Sequence, residues 1–83
     1  MSEIIVWSKP NCVQCTAVKR AFDRIPNLRY EVKNLPDFPE KLQEFIDAGH
    51  TSAPIVEVKG FDTFAGFNPD AIRAIVTAYT SAA

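Results

Sequence analysis

Residues 4–15 read Ile4-Ile5-Val6-Trp7-Ser8-Lys9-Pro10-Asn11-Cys12-Val13-Gln14-Cys15, and this stretch decides the fold. Its first four residues are an unbroken run of β-formers, which predicts a short strand buried on both faces. Pro10 and Asn11 interrupt the run. From Cys15, apolar side chains recur at Val18, Phe22 and Ile25, in steps of three, four and three. Lys19, Arg20, Asp23 and Arg24 take the opposite side. That period marks one face of a helix, which Pro26 should stop, with Asn27 behind it. A strand therefore feeds a helix, and the two cysteines of the chain lie at the junction.

The rest of the chain extends the pattern. Leu28, Tyr30 and Val32 alternate with Arg29, Glu31 and Lys33, as in a half-exposed strand at a sheet edge. Asp37 and Glu40 have capping-box spacing. Phe38, Leu42, Phe45 and Ile46 then form a helical stripe closed by Gly49. Pro54–Val58 reads as a third strand. A Lys59-Gly60 turn should bring residues 61–64 back as an antiparallel fourth. Asn68 is placed as an N-cap, with Pro69 at the first helical position. Ile72, Ile75, Val76 and Tyr79 make the buried face of the last helix. The order is βαβαββα: an α/β fold with a four-stranded mixed sheet, three helices over its two faces and a parallel first βαβ unit.

Eighty-three residues are expected to form one domain, 1–83. At 47% hydrophobic composition the chain can build one core. A net charge of −1 gives no basic field for nucleic acid or an acidic membrane surface. Met1–Val6 lacks the basic and apolar regions of a leader, and no apolar run reaches the ~20 residues that cross a bilayer. A cytoplasmic monomer is the expectation. In that reducing compartment a close cysteine pair points to catalysis or metal rather than a structural disulfide.

Three chemistries suit Cys12-Val13-Gln14-Cys15. A closed zinc site takes four ligands, and the chain supplies two thiols and one histidine, His50, so metal binding would need a second chain. A structural disulfide across two residues closes too short a loop to remove much chain entropy. Thiol–disulfide exchange accounts for the position as well as the spacing. Cys12 falls at a helix mouth, where unpaired N–H groups and the dipole favour a thiolate. Lys9 would add a positive charge nearby. Cys15 is one turn further, on the apolar stripe, and should be buried. Cys12 is then the attacking thiol and Cys15 the resolving one. No cofactor is implied.

Other segments have two readings each. Thr51-Ser52-Ala53-Pro54 is a plain loop or a cis Ala53–Pro54 bond facing the cysteines, with the Ala53 backbone turned to an incoming chain. Ala65-Gly66-Phe67-Asn68-Pro69-Asp70 caps the last helix, and Gly66 would let a partner backbone approach. Phe67 is core or an exposed apolar contact beside the thiols. Trp7 is core, with an indole N–H in need of an acceptor. His50 reads as a surface loop residue.

With Cys12-Val13-Gln14-Cys15, Ala53-Pro54 and Gly66-Phe67-Asn68-Pro69-Asp70 in this order, nearly the whole chain resembles the NrdH-redoxins, glutaredoxin-like proteins of the thioredoxin fold. Lys9-Pro10 is shared with glutaredoxins generally. The resemblance implies electron donation to class Ib ribonucleotide reductase and reduction by thioredoxin reductase. The alternative is a glutathione-dependent dithiol glutaredoxin, or general protein disulfide reductase. It further implies exchange at Cys12 and Cys15, a cis-proline at Pro54, and a partner groove flanked by Gly66, Phe67 and Asp70. Lys9, Val13, Gln14, Ala53 and Asn68 complete the expected partner-binding set. Two positions depart from the family's frequent Ser-Gly-Phe-Arg-Pro-Asp: Ala65 and Asn68 remove a hydroxyl and a guanidinium that could tie the loop down. Trp7 replaces a usual tyrosine.

Overall fold

The computed structural model describes residues 3–81; Met1, Ser2, Ala82 and Ala83, part of the expected domain and of the Met1–Val6 leader reading, lie outside the described residues. The opening apolar run becomes β1 (Ile4–Ser8), followed by α1 (Val13–Asp23) and β2 (Glu31–Asn34). A 3₁₀ turn (Leu35–Asp37) leads into α2 (Pro39–Asp47), then β3 (Ile55–Val58), β4 (Phe64–Ala65) and α3 (Pro69–Ser81). The sheet order is β2-β1-β3-β4, with β1 and β2 parallel and the other two pairings antiparallel.

Strand alternation divides the core into two layers. Ile4, Val6, Val56, Val58 and Phe64 face Val18 and Phe22 of α1 and Ile72 and Ile75 of α3. Trp7 and Ile55 face the other way, against Leu35 and against Phe45 of α2. Both faces of β1 are thus covered, as its unbroken apolar run requires. Burial of Cys15, Val18 and Phe22 follows the stripe read in α1. Ile25 lies beyond the helix, which ends at Asp23 with Arg24 as its C-cap.

Several expected boundaries move, each for a local reason. The edge strand pairs only from Glu31. Before it, Asn27 takes φ +67° and the Leu28 N–H turns back to Ile25 O, so Leu28 and Tyr30 pack on the core without joining the ladder. Val32, on this outermost strand, is exposed. The capping box at Asp37 and Glu40 does not form: Asp37 is held in the 3₁₀ turn and Phe38 is the N-cap, with no side-chain bond. Phe38 and Ile46 of the proposed stripe are exposed, whereas Phe45 is buried. β3 starts at Ile55, after Pro54, which has no N–H to give the ladder. β4 is Phe64–Ala65 instead of 61–64, because Phe61 N–H closes a turn onto Val58 O with Gly60 at φ +85°.

The helix ends read correctly where their signals are local. Gly49 takes φ +93°, and the Gly49 and His50 N–H groups donate to Ile46 O and Phe45 O, a Schellman close to α2. Asn68 Oδ1 accepts the Ala71 N–H at 3.1 Å and so caps α3. Among the described residues no helix is long and apolar enough to cross a membrane.

Candidate active site

The chain leaves β1 at Ser8, turns through Asn11 at φ +58° and enters α1 with Cys12 as the N-cap residue. Cys12 is extended (φ −110°, ψ 106°), and its Sγ accepts the Cys15 N–H at 3.1 Å. One of the helix's unpaired amides therefore points at sulfur, as an N-cap demands. Cys12 and Cys15 are joined in a disulfide with Cα atoms 5.2 Å apart. Cys12 is half-buried, Cys15 is 1% exposed and neighbouring Val13 is 85% exposed. The two sulfurs thus differ in access, as helical spacing on the apolar stripe required.

Two further segments converge on this end of α1. Ala53–Pro54 is a cis peptide bond, the conformation that the second reading of that stretch required. Pro54 is fully buried, and its carbonyl accepts the Gly66 N–H at 2.7 Å. Gly66 sits at φ +77°, a region that suits glycine. The Phe67 N–H donates to Gln14 Oε1 at 3.0 Å, and a Cβ on Gly66 would stand 3.1 Å from that same oxygen. Gln14, a spacer residue expected to face a partner, thus ties α1 to the Gly66–Phe67 loop. With neither hydroxyl nor guanidinium at Ala65 and Asn68, the loop is bonded instead to Gln14, to Pro54 and, through the Asn68 side chain and carbonyl, to the first turn of α3.

Of the two readings of Phe67, the structure selects the exposed one, at 43%. It lines a groove of about 220 Å³ with Ala17, Arg20 and Ala21 of α1 and the C-cap Arg24. Lys9 is exposed and lines a second groove, of about 180 Å³, with Thr51, Ser52, Ala53 and His50. His50 is half-buried there, edge-on to Phe45 at 6.4 Å between rings, rather than a simple surface residue. Asp70 pairs with Arg73 along α3 at 3.8 Å.

Sequence reasoning missed a charged cluster behind β1. Trp7 Nε1–H donates to Glu57 Oε1 at 2.7 Å, which supplies the acceptor the buried indole needed. Lys41 Nζ meets Glu57 Oε2 at 3.1 Å and Glu44 Oε1 at 3.3 Å. Burial pulls the Lys41 pKa down, but its bonds to Glu57 and then Glu44 outweigh this and hold it above the usual value. On the opposite layer, Tyr30 donates to Asp23 Oδ1 at 2.5 Å. Burial first, and that bond second, push the Tyr30 phenol up to about 12.

Comparison with known proteins agrees with this geometry. The Glutaredoxin family model matches residues 4–61. Glutaredoxin-like protein NrdH of Lactococcus lactis subsp. lactis is 30% identical over 72 residues, 87% of this chain and 97% of that protein. Its namesake in Escherichia coli K12 is 31% identical, covering 87% and 86%. The solved NrdH-redoxin of Escherichia coli superposes with a TM-score of 0.78 at 30% identity, over 87% of this chain and 92% of that one. The four-stranded mixed sheet with three helices is a thioredoxin-like fold. With its disulfide at the mouth of α1, the chain belongs to the glutaredoxin family, as a glutaredoxin-like redox protein of the NrdH type.

Proposed function

We propose that the chain is a cytoplasmic, monomeric dithiol electron carrier that reduces class Ib ribonucleotide reductase and is itself reduced by thioredoxin reductase. The observation that carries this reading is the asymmetry of the pair. Cys12 Sγ stands at the helix N-terminus, accepting an amide N–H, while Cys15 is buried behind it. Amide hydrogens and the helix dipole stabilise a thiolate at Cys12 once the disulfide is reduced.

The reduced protein then works in two steps. Cys12 thiolate attacks one sulfur of the substrate disulfide; that S–S bond breaks, a mixed disulfide forms and the departing sulfur takes a proton. Cys15, as thiolate, attacks Cys12 Sγ, expels the second substrate thiol and closes the Cys12–Cys15 disulfide seen here. Two electrons have left the carrier, and a reductase must return them. Val13, Gln14, Ala53, Pro54, Gly66 and Phe67 would frame the partner, with Lys9, Asn68 and Asp70 at its margins. Support for the reductase comes from the solved relative, which is described as having a thioredoxin-like activity profile.

The test is turnover of a protein disulfide coupled to NADPH through thioredoxin reductase, against the same assay with glutathione and glutathione reductase. Flux in the first and little in the second is expected. The reverse result would establish the alternative, glutathione-dependent glutaredoxin, whose tripeptide would lie in the groove between Lys9 and Thr51–Ala53.

A further inference from the structure

Charge is distributed unevenly along this chain. Residues 9–29 hold five cationic side chains and one carboxylate, Asp23, although the protein as a whole carries −1. That carboxylate is already engaged by the Tyr30 hydroxyl. Among the described residues neither Arg20 nor Arg24 forms an ion pair, and both line the 220 Å³ groove floored by Ala17 and Ala21 and walled by the exposed Phe67 ring. No carboxylate lines it. Val13, Ala17 and Arg20 of α1, and then its C-cap Arg24, follow one another at helical spacing from beside Cys12, so the groove and the disulfide are related by one side of the same helix. Gln14 ties the Phe67 backbone to that same helix.

We propose that this groove receives an acidic segment of the polypeptide whose disulfide the protein reduces, with one apolar side chain against Phe67 and carboxylates at Arg20 and Arg24. The inference deepens the reading of the chain as a reductant of protein disulfides and rests on it. Helical rise sets the spacing. Arg20 lies about 12 Å and Arg24 about 18 Å along the axis from Cys12. An extended chain advances about 3.3 Å per residue, so the carboxylates belong roughly four to six residues from the attacked cysteine.

The test uses short peptides with one cysteine held as a disulfide with a small neutral thiol. Aspartates, asparagines or lysines occupy the positions four and six residues away, on either side. At low salt the reduced protein should handle the acidic peptide roughly two- to thirtyfold better in kcat/KM than the neutral one, the range of two exposed ion pairs. The preference should fade toward molar salt, where screening reaches about 3 Å. It should vanish in Arg20→Gln/Arg24→Gln and invert in Arg20→Glu/Arg24→Glu. The same peptides with serine for cysteine should shift the Ala17, Ala21 and Phe67 resonances in NMR titrations, with the same order of affinity. Equal handling of acidic and neutral peptides by the unmodified protein, or a preference that survives charge reversal, overturns the proposal. If no peptide disulfide is reduced at all, the redox reading fails, and the serine peptides alone then uphold or overturn the groove.

Discussion

Replacing Gln14 with alanine tests whether the spacer of the cysteine motif positions the neighbouring loop. The substitution removes the acceptor that Phe67 N–H meets at 3.0 Å. An intramolecular hydrogen bond contributes about 0.5–1.5 kcal/mol net. Phe67 is exposed, so water can solvate the released amide, and the lower half of that range, about 0.5–1 kcal/mol, applies. At RT of about 0.6 kcal/mol this loosens the loop roughly two- to fivefold, which residue-resolved amide exchange reads as the same loss of protection at Phe67. Gln14→Glu keeps an oxygen at the same reach and should keep most of the protection. Gly66→Ala attacks the same contact from the other side, since its methyl would stand 3.1 Å from Oε1 on a backbone at φ +77°. Combined with Gln14→Ala it should cost less than the sum of the single changes, because the obstructing oxygen is gone. Unchanged Phe67 protection in Gln14→Ala, with Gly66→Ala and Gln14→Ala strictly additive, would refute the coupling.

Other outcomes follow from the same contacts. Phe22→Ala, at a fully buried site between β1 and α3, should cost about 3–5 kcal/mol in chemical denaturation, a large share of what a domain of this size has. Glu57→Ala strands the Trp7 indole N–H and should cost about 1–3 kcal/mol with altered tryptophan emission, while Glu57→Gln, which keeps an acceptor, should cost less. Tyr30, Tyr79 and Lys41 all have folded pKa values above their ordinary ones. A raised folded pKa contributes stability below the ordinary value that is lost as pH climbs through the folded one. Stability should accordingly be flat to about pH 10 and decline toward about 12, with the higher tyrosinate inflection absent in Tyr30→Phe. Cys15→Ser should accumulate a mixed disulfide with its target and Cys12→Ser should not; equal trapping, seen on a non-reducing gel, contradicts the assigned order of attack.

Local signals read reliably from the sequence. Period and capping chemistry placed α1, the Gly49 close and the Asn68 cap, because each depends on residues within a few positions of one another. Ends set by competition with the sheet moved. The fourth strand lost residues 61–63 to a turn, and the capping box at Asp37 yielded to the 3₁₀ turn before Pro39. Contacts between distant segments left no trace in any local pattern: Gln14 lies 53 residues from Phe67, and Trp7 lies 50 from Glu57.

The two thiols and their places at the N-cap and first buried turn of one helix were determined by order and period alone, since a helix repeats its face every three or four residues in any context. Whether Phe67 was core or surface, what held its loop, and which arginines pair with no carboxylate among the described residues were decided only when β3, β4 and α3 packed beside α1. Those properties are distances between remote atoms, and a chain acquires them only by closing on itself.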